Sequence, residues 1–226
     1  MKSRIIKNVK NTKFMRRFPG FNLGSLLVAV ICTFLIIIST FTPIPQKILT
    51  IPQEALINPS VFFSHIDSID KITKTFYYIP QIPVVIMIAA ILGYRLGILS
   101  VIIYIIVGLA GFPVFAGGGG INYYMQHGFG YILGFIPGVY TAGNILSSKL
   151  KPFLAFRAAI VGVTAVHLIG IIYLATVFLI KRESIFTIFG WIWQLSGMQF
   201  FNDIIFAIVA VLIGRFLRKA LWVAMD

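Results

Sequence analysis

A chain of 226 residues with 59% hydrophobic and 11% charged side chains, and a mean hydropathy of +0.97, has too much apolar surface for a water-soluble domain. Its formal net charge of +13 does not point to nucleic acid, because the basic residues gather at the ends of apolar runs and form no RNA-reading motif. The sole cysteine, Cys32, lies inside an apolar run, which excludes an intrachain disulfide and a thiolate metal cluster.

In chain order, residues 1–22 form a basic tail, suited to lipid headgroups at about 1 kcal/mol per basic residue near an anionic surface. The apolar run 23–41 lacks a small-residue cleavage site and is followed by Pro43 and Pro45, so it reads as a retained span, not a leader. Within it Ser25, Ala29 and Thr33 recur every four residues. Such a small-residue stripe serves either packing inside the chain or docking to another membrane subunit. The segment 42–82, interrupted by Pro43, Pro45, Pro52, Pro59 and Pro80, is too long for a simple turn and reads as a partial lid.

The run 83–111 is too long for one span. Gly93, Tyr94, Arg95 and Gly97 place a turn and a charge inside it, predicting a short helix over 83–92 and another over 96–110. Runs at 131–146, 158–180 and 203–223 bring the expected count to six, in a single transmembrane domain over 23–226. Six spans put both termini on one side. Most Lys and Arg then share that side, with only Lys47, Lys71, Lys74, Lys181 and Arg182 opposite, which places the termini in the cytoplasm.

Three connections face outward on this reading: 42–82, 112–130 and 181–202. The middle one holds Gly117, Gly118, Gly119 and Gly120 among Phe115, Asn122, Tyr123, Tyr124 and Tyr131. It lacks the Lys and Ser/Thr of a phosphate loop, since Ile121 and Asn122 follow the glycines. Irregular backbone at membrane depth is tolerated only where protein covers it or it lines a cavity. The alternatives are a flexible hairpin and a pocket whose glycine N–H groups receive an anion.

His65, His127 and His167 have no metal-ligand spacing, so no metal site is expected. His167 reads as a core histidine bonded to a neighbouring helix, and His127 as a loop residue within reach of a ligand. No nucleophile and base pair supports an enzyme, and no catalytic residue is assigned. Asp203 at the start of the last run is either an N-cap or an intramembrane functional carboxylate.

At GLAGFPVFAGG (residues 108–118) followed by GYILGF (130–135), the chain resembles the BioY family, the biotin-specific substrate-binding subunits of energy-coupling-factor (ECF) transporters. Gly111, Pro113, Phe115, Ala116 and Gly117 resemble a G-x-P-x-F-A-G signature. Gly130, Tyr131, Gly134 and Phe135 resemble the end of G-P-T-G-G-Y-x-x-G-F, and Asp203 with Ala210 a D-x-x-K-x-x-x-A element. Ser25 and Ala29 resemble the A-x-x-x-A stripe that meets the coupling protein. The chain departs from the family at Gln126–Phe129, at Val85 and Met87, and at Phe206, which replaces a lysine.

The resemblance implies an all-α, S-component-type bundle of six helices in the plasma (inner) membrane, without a bound cofactor. It would capture external biotin and deliver it with an ECF transmembrane coupling subunit and cytosolic ATPase subunits. It also implies a site in which Asp203 accepts from the ureido N–H groups, helped by Tyr131 or Asn122. Phe115 and Tyr131 would pack the ring, and the N–H groups of Gly117 and Gly118, or Lys181 and Arg182, would stand in for the lysine. Another small vitamin or a biotin precursor on the same fold, or a scaffold subunit, are the other readings.

Overall fold

The first helix, α1 (Leu23–Thr40), begins at a capping box: Asn22 Oδ1 accepts from the Ser25 N–H at 2.7 Å, and Ser25 Oγ accepts from the Asn22 N–H at 3.0 Å. The same Asn22 donates through Nδ2 to the carbonyl of Met225 at 2.7 Å, tying the start of the first helix to the end of the last. The computed structural model describes residues 19–49, 73–147 and 152–225. The basic tail over 1–17, His65 and the middle of the long segment after α1 lie outside them.

That segment is not helical at its ends. Strand β1 (Ile44–Leu49) pairs antiparallel with β2 (Thr73–Tyr78), with Ile44 opposite Tyr78 and Leu49 opposite Thr73. The expected all-α class holds for the membrane-length elements, and this strand pair is an addition outside them. Alternating Thr, Phe and Tyr in TKTFYY suits a strand, and pairing satisfies backbone groups that the prolines keep out of a helix.

Helix α2 (Gln81–Leu109) is continuous except at Gly93, whose φ of 78° and ψ of −174° are not helical. Only glycine adopts that conformation without strain. The turn expected from Gly93 to Gly97 is thus one residue, and the helix resumes at once. After a loop containing a 3₁₀ turn (Ile121–Met125) come α3 (Phe129–Leu146), α4 (Pro152–Ile180), α5 (Ile185–Ile192), a π-type turn (Trp193–Gly197) and α6 (Phe200–Met225). Pro152 occupies the first position of α4, where its missing N–H costs nothing.

Among the described residues, five helical stretches are long and apolar enough to cross a membrane, where the sequence predicts six: Leu23–Thr40, Gln81–Leu109, Phe129–Leu146, Phe153–Ile180 and Ile185–Val223. The difference lies at Gly93, which bends one helix where the sequence reading separates two.

Polar side chains inside the bundle are matched between helices. Thr33 Oγ1 donates to the Ser100 carbonyl at 3.1 Å, and Ser100 Oγ returns a bond to the Ala29 carbonyl at 2.9 Å, joining α1 to α2. Glycines set the contact between α3 and α4. A Cβ on Gly134 would lie 2.6 Å from the Val166 carbonyl oxygen, and Gly170 on α4 accepts the ring of Tyr131. We expect Gly134→Ala to lower stability by about 1–3 kcal/mol through overpacking. Gly190→Ala, where nothing lies within 4 Å, raises it slightly or leaves it unchanged. Thermal unfolding of the two variants in detergent checks the contrast.

Candidate functional site

The three connections expected to face outward meet around one cavity of about 130 Å³. Ile79, Gln81 and Ile82 reach it from the end of β2 and the start of α2. Ala116, Tyr123 and Gly128 come from the glycine loop, Tyr131, Ile132 and Phe135 from α3, and Leu195 and Gln199 from the turn before α6. Among the described residues, no Lys, Arg, Asp or Glu lines it.

The glycine loop builds this wall by closing on itself. Phe115 and Gly118 exchange backbone bonds at 2.9 and 3.0 Å, and the Gly120 N–H donates to the Gly108 carbonyl at 2.7 Å. Gly111, Gly118 and Gly120 have φ of 111°, 115° and 100°, and a side chain at Gly119 would collide with the Phe112 carbonyl. These glycines are there for a tight backbone. Gly118 and Gly120 spend their N–H groups inside the loop, and Gly117 faces the Tyr123 hydroxyl.

Phe115 is the loop's anchor. Fully buried, it packs on Gly108, where no side chain fits, with ring centroids 5.2 Å from Tyr104, 4.6 Å from Tyr123 and 6.3 Å from Phe129. Phe115, Gly117, Gly118 and Asn122 therefore lie in or beside the loop but do not line the cavity, and Asn122 is exposed. Tyr131 does line it.

Asp203 lies directly behind. It is the fourth residue of α6, its N–H bonded to the Gln199 carbonyl at 2.8 Å, so it is not an N-cap. Its side chain is fully buried: Oδ1 accepts from the Tyr78 hydroxyl at 2.6 Å and Oδ2 from His167 Nε2 at 3.0 Å. His167 Nδ1 meets Ser196 Oγ at 2.9 Å, and Ser196 Oγ meets the Tyr131 hydroxyl at 2.7 Å. A neutral imidazole satisfies every group in one direction: Tyr131 donates to Ser196, Ser196 to His167, and His167 to the carboxylate. The chain of bonds runs from the cavity wall to Asp203. Burial, then the neighbouring carboxylate, push the Tyr78 phenol far above its ordinary range, so it remains a donor.

Gln81 is the second polar element. Its Nε2 donates to Thr40 Oγ1 at 2.5 Å and to the Tyr104 hydroxyl at 2.8 Å, which commits its amide hydrogens and leaves the amide oxygen of this cavity-lining residue as its remaining acceptor. Nothing in the sequence alone marked Gln81, Gln199, Ser196 or Tyr78. A polar residue at the edge of an apolar run was the available signal for the two glutamines, whereas Tyr78 meets Asp203 only through the strand pair.

At the rim, the His127 ring lies 3.8 Å from Trp191 and 6.3 Å from Phe178, and Lys181 Nζ donates to the Met125 carbonyl at 3.0 Å. Ser25 and Ala29 are both fully buried within this chain, Ser25 in the capping box and Ala29 against Ser100. Their surfaces are taken up by packing within this chain, and the exposed face of α1 is the one carrying Leu23, Leu27, Ile31 and Phe34.

Comparison with known proteins places this architecture. Residues 61–222, which contain every residue lining the cavity, match the BioY family model. The chain belongs to the BioY family. It is 37% identical over 98 residues to a probable biotin transporter BioY of Lysinibacillus sphaericus, covering 42% of this chain and 49% of that protein. A biotin transporter BioY of Thermotoga maritima is 33% identical over 149 residues, covering 62% and 79% respectively. The chain spans about half the length of the Lysinibacillus relative and of one from Pyrococcus horikoshii. Its fold is similar to the crystal structure of the S-component for biotin from an ECF-type ABC transporter, with a TM-score of 0.60 at 25% identity over 86% of this chain and 90% of that one.

Two expectations follow. His167→Ala leaves Asp203 and Ser196 short of a partner and costs about 1–3 kcal/mol in thermal unfolding. Burial, aided by Lys181, holds His127 below its ordinary 6.5. The unfolded chain therefore takes its proton first: the His127 contribution is complete above 6.5 and is lost as pH falls from 6.5 toward the lowered native value. Unfolding midpoints measured between about pH 7.5 and 5.5 should fall less in His127→Gln than in the unsubstituted chain.

Proposed function

We propose that this chain captures biotin from outside the cell as the substrate-binding subunit of an ECF-type transporter in the plasma membrane. The observation that carries the reading is the cavity enclosed by the three connections, inside the stretch that matches the BioY family. Aromatic walls from Tyr123, Tyr131 and Phe135 suit an apolar bicycle. The amide oxygen of Gln81 and the carboxylate of Asp203 are acceptors for two ureido N–H groups, and the Gln199 amide is placed for the ureido carbonyl.

Phe115, Gly117, Gly118 and Asn122 serve by shaping the loop. Tyr131 both packs the ligand and orders the bonds to Asp203. On this reading the bend at Gly93 divides α2 into two short spans, for six in all, with both termini in the cytoplasm as the charge distribution favours. The chain hydrolyses nothing. Energy comes from cytosolic ATPase subunits through a transmembrane coupling subunit.

A second reading changes the cargo and keeps the pocket. Because no cation among the described residues lines the cavity and Phe206 stands where the family carries lysine, an uncharged vitamin or biotin precursor also suits it. Titration of labelled biotin into the detergent-purified chain is expected to show saturable binding at one site. Competition by a biotin precursor that outranks biotin itself would favour the second reading, and no saturable binding of biotin would overturn the first.

A further inference from the structure

The two groups that hold Asp203 are anchored very differently. His167 stands on α4 inside the bundle, its other ring nitrogen fixed by Ser196. Tyr78 is the last residue of β2, on a ribbon outside the helices. Its ring stacks on Phe206 with centroids 5.2 Å apart and planes at 21°, and its hydroxyl donates to Oδ1 of Asp203. A further side-chain hold of the ribbon on α6 is Gln46 Oε1 accepting from Asn202 Nδ2 at 2.8 Å.

Tyr78 and Asp203 both adjoin the cavity wall: Ile79, next in the chain after Tyr78, lines the cavity, as does Gln199, one helical turn before Asp203. The carboxylate itself has no exposed surface, and its two oxygens are held by Tyr78 and His167. A ligand donor that approaches Oδ1 therefore competes with the Tyr78 hydroxyl for it.

We propose that Tyr78 is an internal competitor for the ligand site: its phenol occupies the acceptor on Asp203, and a ligand binds by exchanging its own N–H for the Tyr78 O–H. This rests on the reading that Asp203 is a ligand acceptor. The exchange is donor for donor with no change of charge, so the hydrogen bonds to Asp203 are conserved only when the incoming group brings a donor. A ureido or amide N–H meets that condition. An ether, ester or hydrocarbon in its place leaves a buried carboxylate oxygen unpaired and is rejected. Tyr78 thus sets specificity as well as affinity.

The test is calorimetric titration of biotin into the full chain in detergent, comparing wild type with Tyr78→Phe, which keeps the ring on Phe206 and removes only the competing hydroxyl. The expected result is tighter binding by the variant, by about ten-fold, the order of one hydrogen bond to a charged group. Equal or weaker binding by the variant overturns the proposal and leaves the biotin reading standing. Binding by the variant alone supports it, and no binding by either chain overturns both. Thermal unfolding gives an independent check. The proposal requires biotin to raise the unfolding temperature more in Tyr78→Phe than in wild type, and an equal or smaller rise overturns it.

Discussion

The structure depends on one constraint: a polar group away from water must find its partner inside the chain. Asp203 is the group with the most at stake, since an unpaired carboxylate in a low-dielectric interior costs far more than an unpaired hydroxyl or amide. Its two oxygens draw together α4, through His167, and the strand pair, through Tyr78. His167 in turn fixes Ser196, and Ser196 fixes Tyr131. One buried charge thus orders four segments far apart in sequence and sets the position of a cavity-lining ring.

The same constraint explains the glycine loop and the first helix. The loop closes its backbone bonds on itself and on the end of α2, and Phe115 fills the space that Gly108 leaves. Thr33 and Ser100 reciprocate bonds between α1 and α2. Once these groups are satisfied, the polar side chains lining the cavity among the described residues are Gln81, Gln199, Tyr123 and Tyr131. With no charged side chain among them, the cavity reads a ligand by the placement of donors and acceptors.

Much of this was legible in the sequence, because hydrophobic runs and glycine clusters report local physics directly. The apolar helices, the meeting of the three connections around one cavity and the bonding of His167 between helical segments all follow from such signals. Gly93 was legible as a break, but not how short the break is, since one residue at positive φ replaces a whole turn. The glycines and Phe115 stand in a loop that borders the cavity, where the glycines serve a backbone fold-back and Phe115 packs inside. Sequence marks where backbone freedom is needed, not whether it serves a ligand or a fold-back. Ser25 and Ala29 show the same ambiguity, because a small-residue stripe permits close approach without naming which helix approaches. Tyr78 was not legible at all, since its contact with Asp203 is made by strand register and tertiary packing.

The aromatic at position 206 and the strand pair before α2 become a single feature once Tyr78 is placed. A lysine one turn on from Asp203 would balance the carboxylate with a charge fixed to the same helix. Phe206 instead offers a ring face, and the ring stacked on it delivers a neutral hydroxyl to the carboxylate from outside the bundle. A balancing group fixed to the helix stays with the site when a ligand arrives, whereas one carried on a ribbon is free to leave. Replacing charge by a displaceable donor makes the occupancy of Asp203 depend on the position of the strand pair, so the ribbon and the cavity form one unit.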